Sequence, residues 1–143
     1  MRIILFLLPI LLLLGCAEDS HFIAYQGAQQ NWPTAPGSMV ETKFAVPVYY
    51  GLPPRKYRVM GELTAEEEGR WRWSDPESDA MEDVTKEAKK IGADAIIVTG
   101  RETGVGGYIS SGTATVSGNT AYGRGIARSI KTAQARVVAI KFR

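Results

Sequence analysis

The stretch Ser74–Val98, SDPESDAMEDVTKEAKKIGADAIIV, contains the clearest secondary-structure signals of this 143-residue chain. Its first part predicts an amphipathic helix, because apolar residues recur at helical spacing while charged residues cover the other faces. Either Ser74 or Asp75 can cap this helix, and Gly92 supplies a left-handed stop. The apolar run Ala93–Val98 then lacks alternation, which predicts a central strand with both faces buried. The helical apolar positions are Met81, Val84, Ala88 and Ile91.

Three more strands are predicted around this stretch. Phe44–Tyr50 and Tyr57–Thr64 alternate with the period of a strand, and Arg136–Phe142 does the same at the end of the chain. Pro47 cannot donate to a ladder, so the first of these should be an edge strand. The expected fold class is α+β: a small, mostly antiparallel sheet in the order β-β-α-β-β, with the helix packed on one face.

Residues 100–128 form a long insertion that is rich in Gly, Ser, Thr and Ala. It contains neither Gly-x-Gly-x-x-Gly nor Gly-x4-Gly-Lys-Ser/Thr, so nucleotide binding has no support. Two alternatives stay open, a mobile hairpin and a segment that a partner orders by strand addition. The basic residues at its end predict either a solvated face or contact with an anionic surface. They are Arg124, Arg128 and Lys131.

The N-terminus carries a targeting signal. Met1 and Arg2 precede an apolar run from Ile3 to Leu14, and this run is shorter than the roughly 20 residues that a membrane-spanning helix needs. The run closes on Leu13-Leu14-Gly15-Cys16, which resembles the lipobox of bacterial lipoprotein precursors. That resemblance implies removal of residues 1–15 as a signal peptide, a diacylglyceryl thioether on Cys16 and N-acylation, for example with palmitate. The alternative is an ordinary secretory signal with a chance cysteine.

Lipidation of Cys16 has chemical consequences. This residue is the only cysteine, so the chain forms no intramolecular disulfide, and acylation leaves no thiol for catalysis or for metal binding. Ala17 follows it, whereas in enteric-type bacteria an Asp at that position marks retention at the inner membrane. Resemblance to that sorting rule implies a lipid anchor on the periplasmic face of the outer membrane.

The rest of the chain is expected to comprise a lipidated N-terminus with a tether over residues 16–42 and a single α+β domain over residues 43–143. No helical or strand period runs through residues 17–38. The alternative is that the aromatic residues of that segment dock on the domain. His21, the only histidine, is interpreted as solvated, because a metal site needs several convergent ligands. No metal and no cofactor is predicted. The aromatic residues are Phe22, Tyr25 and Trp32.

One candidate partner surface is the segment Arg70-Trp71-Arg72-Trp73. Trp and Arg are enriched at binding hot spots, although the tryptophans could instead cap the core below the helix. Glu66–Glu68 is expected to be an exposed loop. No base accompanies a serine or cysteine in a pattern that would support nucleophilic catalysis, so the chain is not expected to be an enzyme. The 17 Lys and Arg against 15 Asp and Glu argue against a nucleic-acid partner.

Two segments carry a family resemblance. Tyr57-Arg58-Val59-Met60-Gly61-Glu62-Leu63, followed by Ala88-Lys89-Lys90-Ile91-Gly92-Ala93-Asp94-Ala95-Ile96-Ile97-Val98, resembles the pattern of the YbjQ and RcsF-like envelope proteins. The resemblance covers about Phe44 to Thr99 and implies a small α+β envelope domain. RcsF-like lipoproteins further imply an outer-membrane sensor role, although disulfides that this chain cannot form hold their domain together. No metal ligand is carried over from the YbjQ-type domains.

The expected function is therefore that of a lipid-anchored, periplasm-facing envelope lipoprotein, acting as a non-catalytic interaction or stress-sensor module. Its expected partners are the membrane, through the acyl chains on Cys16, and an envelope protein. The alternative is a structural envelope protein that binds peptidoglycan or anionic lipid headgroups.

Overall fold

The computed structural model describes residues 20–69, 73–117 and 120–143. The predicted signal peptide, Cys16 and Arg70-Trp71-Arg72 lie outside the described residues. The helix α1 spans Pro76–Lys90 and lies between the fourth and fifth strands of the chain. The strands are β1 (Ser20–Ala24), β2 (Val40–Glu41), β3 (Val48–Tyr49), β4 (Tyr57–Gly69), β5 (Ala95–Ser117) and β6 (Thr120–Phe142).

The strands form one curled, mixed sheet of six strands in the order β1-β4-β6-β5-β3-β2. Strands make up 54% of the structure and helix 13%, so the predicted small, mostly antiparallel β-β-α-β-β sheet is wrong. Two physical reasons explain the difference. The N-terminal segment and the Gly-rich insertion both add strand to the sheet, and β3 pairs with β5 in parallel rather than antiparallel orientation.

The Gly-rich insertion is the outer part of a long hairpin. β5 and β6 pair from Ala95↔Ile140 to Ser117↔Thr120, whereas β4 stops at Gly69↔Lys131. We call residues 105–117 and 120–131 the arm. At about 3.4 Å per residue, the arm extends roughly 37 Å past the end of β4. The insertion is therefore a hairpin; its mobility and its ordering by a partner stay predictions.

Helix α1 begins and ends as its sequence predicts. Asp75 is the N-cap, and its side chain accepts a hydrogen bond from the Ser78 backbone N–H at 3.3 Å. Pro76 occupies the first turn, where a missing N–H costs no hydrogen bond. Gly92 follows the helix with φ +79°, in the left-handed region that favours glycine. Of the two possible caps, the structure selects Asp75.

The main core lies between α1 and one face of the sheet. Val84 and Met81 of the helix are fully or nearly fully buried against Leu63 of β4. Small residues on β6 face the helix at every second position, which lets the helix lie close to the sheet. These are Ala135, Val137 and Ala139.

The strand predicted at Phe44–Tyr50 is much shorter than expected. Only Val48–Tyr49 forms a strand, and β2 lies outside it, so it is not the edge of the sheet. Pro47 is compatible with this position because it contributes only an acceptor. Its carbonyl accepts from the Ile96 N–H at 3.0 Å.

The segment predicted as a tether is attached to the sheet from Ser20 onward. Phe22 of β1 pairs with Leu63 and packs on the main core. Trp32 packs on a second core, on the other face of the sheet, and the Tyr57 hydroxyl donates to the Pro33 carbonyl at 3.1 Å. The sequence did not predict this attachment, because a five-residue strand and isolated aromatic residues show no detectable period. The structure agrees with the alternative in which the aromatic residues dock on the domain. No helix in the described part of the chain is long and apolar enough to cross a membrane.

Candidate interaction surface

Helix α1 covers one face of the sheet. We call the other face the open face, and at its Phe142 end this face carries the second core with Trp32. Because side chains alternate along a strand, the even-numbered residues of β6 from Arg124 to Arg136 lie on the open face. The odd-numbered residues from Lys131 to Ala139 lie on the helix side, where the last four of them are buried. The open face therefore continues without interruption from the body of the sheet onto the arm.

The middle of the open face is a concave groove of about 1150 Å³, lined in part by His21, Thr64, Glu66, Glu102 and Gln134. Three of these residues form one row across the sheet, because Gln134 of β6 pairs with Glu66 on one side and with Glu102 on the other. The Gln134 amide donates to the Glu66 carboxylate. This row forms the floor of the groove.

Carboxylates give the groove a negative charge. Glu62, Glu66 and Glu102 all lie on the open face and are exposed. Arg136 is the neighbouring cation, and it lies 3.7 Å from Glu102 while its guanidinium also donates to Gln134 at 2.8 Å. Glu68 lies on the same face, so a single arginine among four carboxylates leaves an excess of negative charge.

Two sequence predictions about the groove residues change. Glu66–Glu68 lies in β4 rather than in an exposed loop, so that prediction is wrong. Three consecutive acids hid the alternation, because Glu66 and Glu68 lie on the open face whereas Glu67 lies on the helix side. His21 lies in β1, paired with Thr64, rather than in a tether, and its side chain is exposed, which agrees with its interpretation as a solvated residue. Among the described residues, no group of three or more His, Cys, Asp or Glu side chains is placed to hold a metal ion.

The arm exposes large apolar side chains that contribute nothing to the core. Tyr108 is 74% exposed and Ile126 is 63% exposed, and Val105 and Ile109 are more than half exposed. Ile109 pairs with Arg128 and lies diagonally from Ile126, so these three residues share the open face. Exposed apolar patches of this kind mark interaction sites.

The arm is also purely cationic. Residues 105–131 contain no Asp or Glu, and their basic residues are Arg124, Arg128 and Lys131. In the part of the chain that the structure describes, none of these three forms an ion pair. The arm therefore carries a charge opposite to that of the groove on the same sheet.

Of the candidate partner surface Arg70-Trp71-Arg72-Trp73, the structure describes only Trp73. This residue lies in the turn before α1 and is 82% exposed, so it does not cap the core. Because Arg70, Trp71 and Arg72 lie outside the described residues, the partner surface at this segment stays a prediction.

A separate polar cluster fastens β2 and the segment after β3 to the start of α1. The Tyr50 hydroxyl donates to Glu41 Oε2 at 2.7 Å, and Arg101 lies over the Tyr50 ring and bonds Glu77 at 2.8 Å. Burial and then the bond to Glu41 raise the pKa of Tyr50 above its usual range. Hydrogen bonds from Lys43 and then from Tyr50 lower the pKa of Glu41. All the charged members have partners, so we interpret the cluster as structural.

Comparison with known families, curated proteins and solved structures found no match. The resemblance to YbjQ and RcsF-like proteins therefore stays a prediction that rests on the quoted residues alone. The open face with its arm is the candidate functional site. The sequence indicated the insertion and its basic residues Arg124, Arg128 and Lys131, but it did not identify the groove. A further signal is the absence of acids from residues 105–131, in contrast to the acidic run Glu66–Glu68.

Proposed function

We propose that the protein is a lipid-anchored envelope lipoprotein on the periplasmic face of the outer membrane, and that it acts as a non-catalytic interaction module. The lipobox-like sequence ending at Cys16 supports the anchor. The arm supports the interaction role, since it presents apolar and cationic side chains to another component of the envelope.

One observation carries the interaction role: the arm projects from the sheet with large apolar side chains exposed. Folding does not require Tyr108 or Ile126, because neither packs on a core. An exposed apolar strand also promotes aggregation unless a partner covers it. Contact with a partner would cover Tyr108 and Ile126, and it therefore explains why they are exposed.

The anchor is tested by Cys16→Ser. Without the thiol no thioether forms, so the variant should move from the membrane fraction to the soluble fraction as a folded protein. A radiolabelled fatty acid should label the parent chain and leave the variant unlabelled. Retention of the variant in the membrane fraction would overturn the anchor.

The contact role is tested by placing a photo-crosslinking amino acid at Tyr108 or Ile126 of the chain in living cells. Irradiation should then yield a discrete adduct. Met39 is the matched control, because it is 66% exposed and lies outside the arm, just before β2. If the arm positions give no adduct beyond that of Met39, the arm is not the contact element.

A further inference from the structure

We propose that the partner of the arm is a second copy of this chain. Two copies pack open face to open face, and each lays its arm along the groove of the other. This inference rests on the arm being the contact element of the proposed function, and it names the partner that the arm binds.

Symmetry fixes which residues meet. Facing sheets pack about 10 Å apart with their strands nearly aligned. We place the two-fold axis in the plane of the interface, perpendicular to the strands. This axis reverses the direction of the strands and keeps their order, so β6 of one copy faces β6 of the other. With the axis level with Lys131, Arg128 of one copy lies over Gln134 of the other.

The charges match in that register. Gln134 is flanked by Glu66 on β4 and by Glu102 on β5, each about 4.8 Å away across the sheet. Arg128 of one copy therefore points between two carboxylates of the second copy. Arg124 reaches the row of Val138, which pairs with Glu62 and borders the second core, so the contact ends at this row. The same contacts recur on the other side of the axis, so both arginines of each copy are placed beside carboxylates.

The size of the contact indicates a weak dimer. A strip from residue 124 to residue 138 is about 48 Å long, and the two strands of the arm are about 10 Å wide, which gives roughly 950 Å² over both copies. Stable interfaces bury more than about 1,200 Å², so we expect a reversible, concentration-dependent dimer. Because charges dominate the contact, salt should weaken it.

The same axis suits the proposed lipid anchor. It runs along the order of the strands, so the β1 edges of both copies lie at the same end of the dimer. Both N-terminal segments then leave the dimer on one side. Two acylated N-termini can therefore enter a single membrane with the axis perpendicular to its surface.

Cross-linking tests the register. In the full chain with Cys16→Ser, we expect Arg128→Cys with Gln134→Cys to give a covalent dimer with a short bis-maleimide. Within one copy these positions lie about 20 Å apart along the strand, beyond the reach of such a reagent. The control pairs Arg128→Cys with Arg58→Cys, because Arg58 is exposed at the far end of β4. Equal yields from the two pairs, or no dimer from either, would overturn the register.

Sedimentation equilibrium tests the charges. Arg128→Glu should raise the dissociation constant of the dimer about tenfold or more, the size expected for a close interfacial charge pair. Arg58→Glu, with the same change in net charge, should leave it unchanged. Adding Glu66→Arg to Arg128→Glu should recover most of the affinity, and about 0.5 M salt should weaken the parent dimer.

The two proposals can fail separately. A chain that stays monomeric at all concentrations, while Tyr108 or Ile126 crosslinks a different envelope component, contradicts the dimer and leaves the contact role standing. A dimer of the Cys16→Ser chain, when the parent chain is not labelled by fatty acid, contradicts the anchor and supports the self-association.

Discussion

Asp94 and Lys141 join the start of β5 to the end of β6, with Lys141 Nζ donating to Asp94 Oδ1 at 3.0 Å. The Phe142 backbone N–H donates to the second carboxylate oxygen at 2.9 Å, and the Asp94 N–H donates to the Ile140 carbonyl at 2.9 Å. The bond from Lys141, followed by the bond from Phe142, lowers the pKa of the Asp94 carboxyl below its ordinary value. One aspartate thus holds the C-terminal strand in register.

Asp94→Asn should reduce stability at neutral pH and flatten its dependence on acid. Because the pKa of Asp94 is lower in the folded state than in the unfolded state, its ionised carboxylate stabilises the fold at every pH above the unfolded pKa of about 3.9. This stabilisation is lost as the pH falls from that value through the folded pKa. The Asp94 side chain is 37% exposed, so we expect a loss of only about 1 kcal/mol at pH 7. Urea unfolding at pH 7 and near pH 3 measures both effects. An identical pH dependence in parent and variant would contradict the role of Asp94.

Gly61→Ala should detach β1 from the sheet. A Cβ at this position would collide with the Ile23 carbonyl oxygen and with the Phe22 ring, and backbone atoms cannot move aside cheaply. We expect a loss of about 1–3 kcal/mol in the free energy of unfolding. Hydrogen exchange at Phe22 and Ile23 should accelerate as well. Gly100→Ala is the control, because its nearest neighbour would be the Arg136 Cβ at 3.8 Å. Equal losses in the two variants would rule out close approach at Gly61 as the cause.

Asp75→Ala should weaken the start of α1. The Asp75 side chain accepts one of the N–H groups that the first turn leaves unpaired, and its negative charge also suits the helix dipole. The expected loss is about 1 kcal/mol in the free energy of unfolding. Asp75→Asn keeps the acceptor and should lose less. Thermal or urea unfolding measures the loss in each variant. If Asp75→Ala unfolds like the parent chain, another group caps the helix.

Tyr57→Phe should loosen the segment around Pro33. The ring is buried in the second core, and its hydroxyl donates to the Pro33 carbonyl, so the variant removes one hydrogen bond and keeps the packing. We expect a loss of about 0.5–1.5 kcal/mol and faster protease cleavage between Ala24 and Val40. Tyr108→Phe serves as the control, because that ring is exposed on the arm. Unchanged cleavage would mean that other contacts hold the segment.

Local signals in the sequence predicted α1 well. A cap, a stop and a helical period act within a few residues, and Asp75, Gly92 and Val84 lie where the pattern places them. The sheet was harder to predict, because strand pairing depends on contacts distant in the chain. Nothing near Val48 indicates a parallel partner at Ile96.

The groove and the regular strands of the arm were missed for a related reason. Gly, Ser and Thr in the arm weaken the apolar alternation that identifies a strand in a sequence. The strands of the arm are regular because β5 and β6 pair with each other along their whole length. The groove combines Glu66, Gln134 and Glu102, which come from three separate strands. Only the register of the sheet shows that they form one row.

If Cys16 is lipidated as proposed, the attachment of β1 limits how far the domain can move from the membrane. Only three residues separate Ser20 from the proposed anchor at Cys16, and the four residue-to-residue steps span at most about 14 Å when fully extended. Ser20 pairs with Ala65, which in turn pairs with Ala135 of β6. This row of residues therefore lies about 24 Å along β6 from Phe142, at the end of the sheet. The domain therefore cannot stand on that end with its arm directed away from the lipid. With the proposed anchor at Cys16, it would rest on its β1 edge or lean toward the arm.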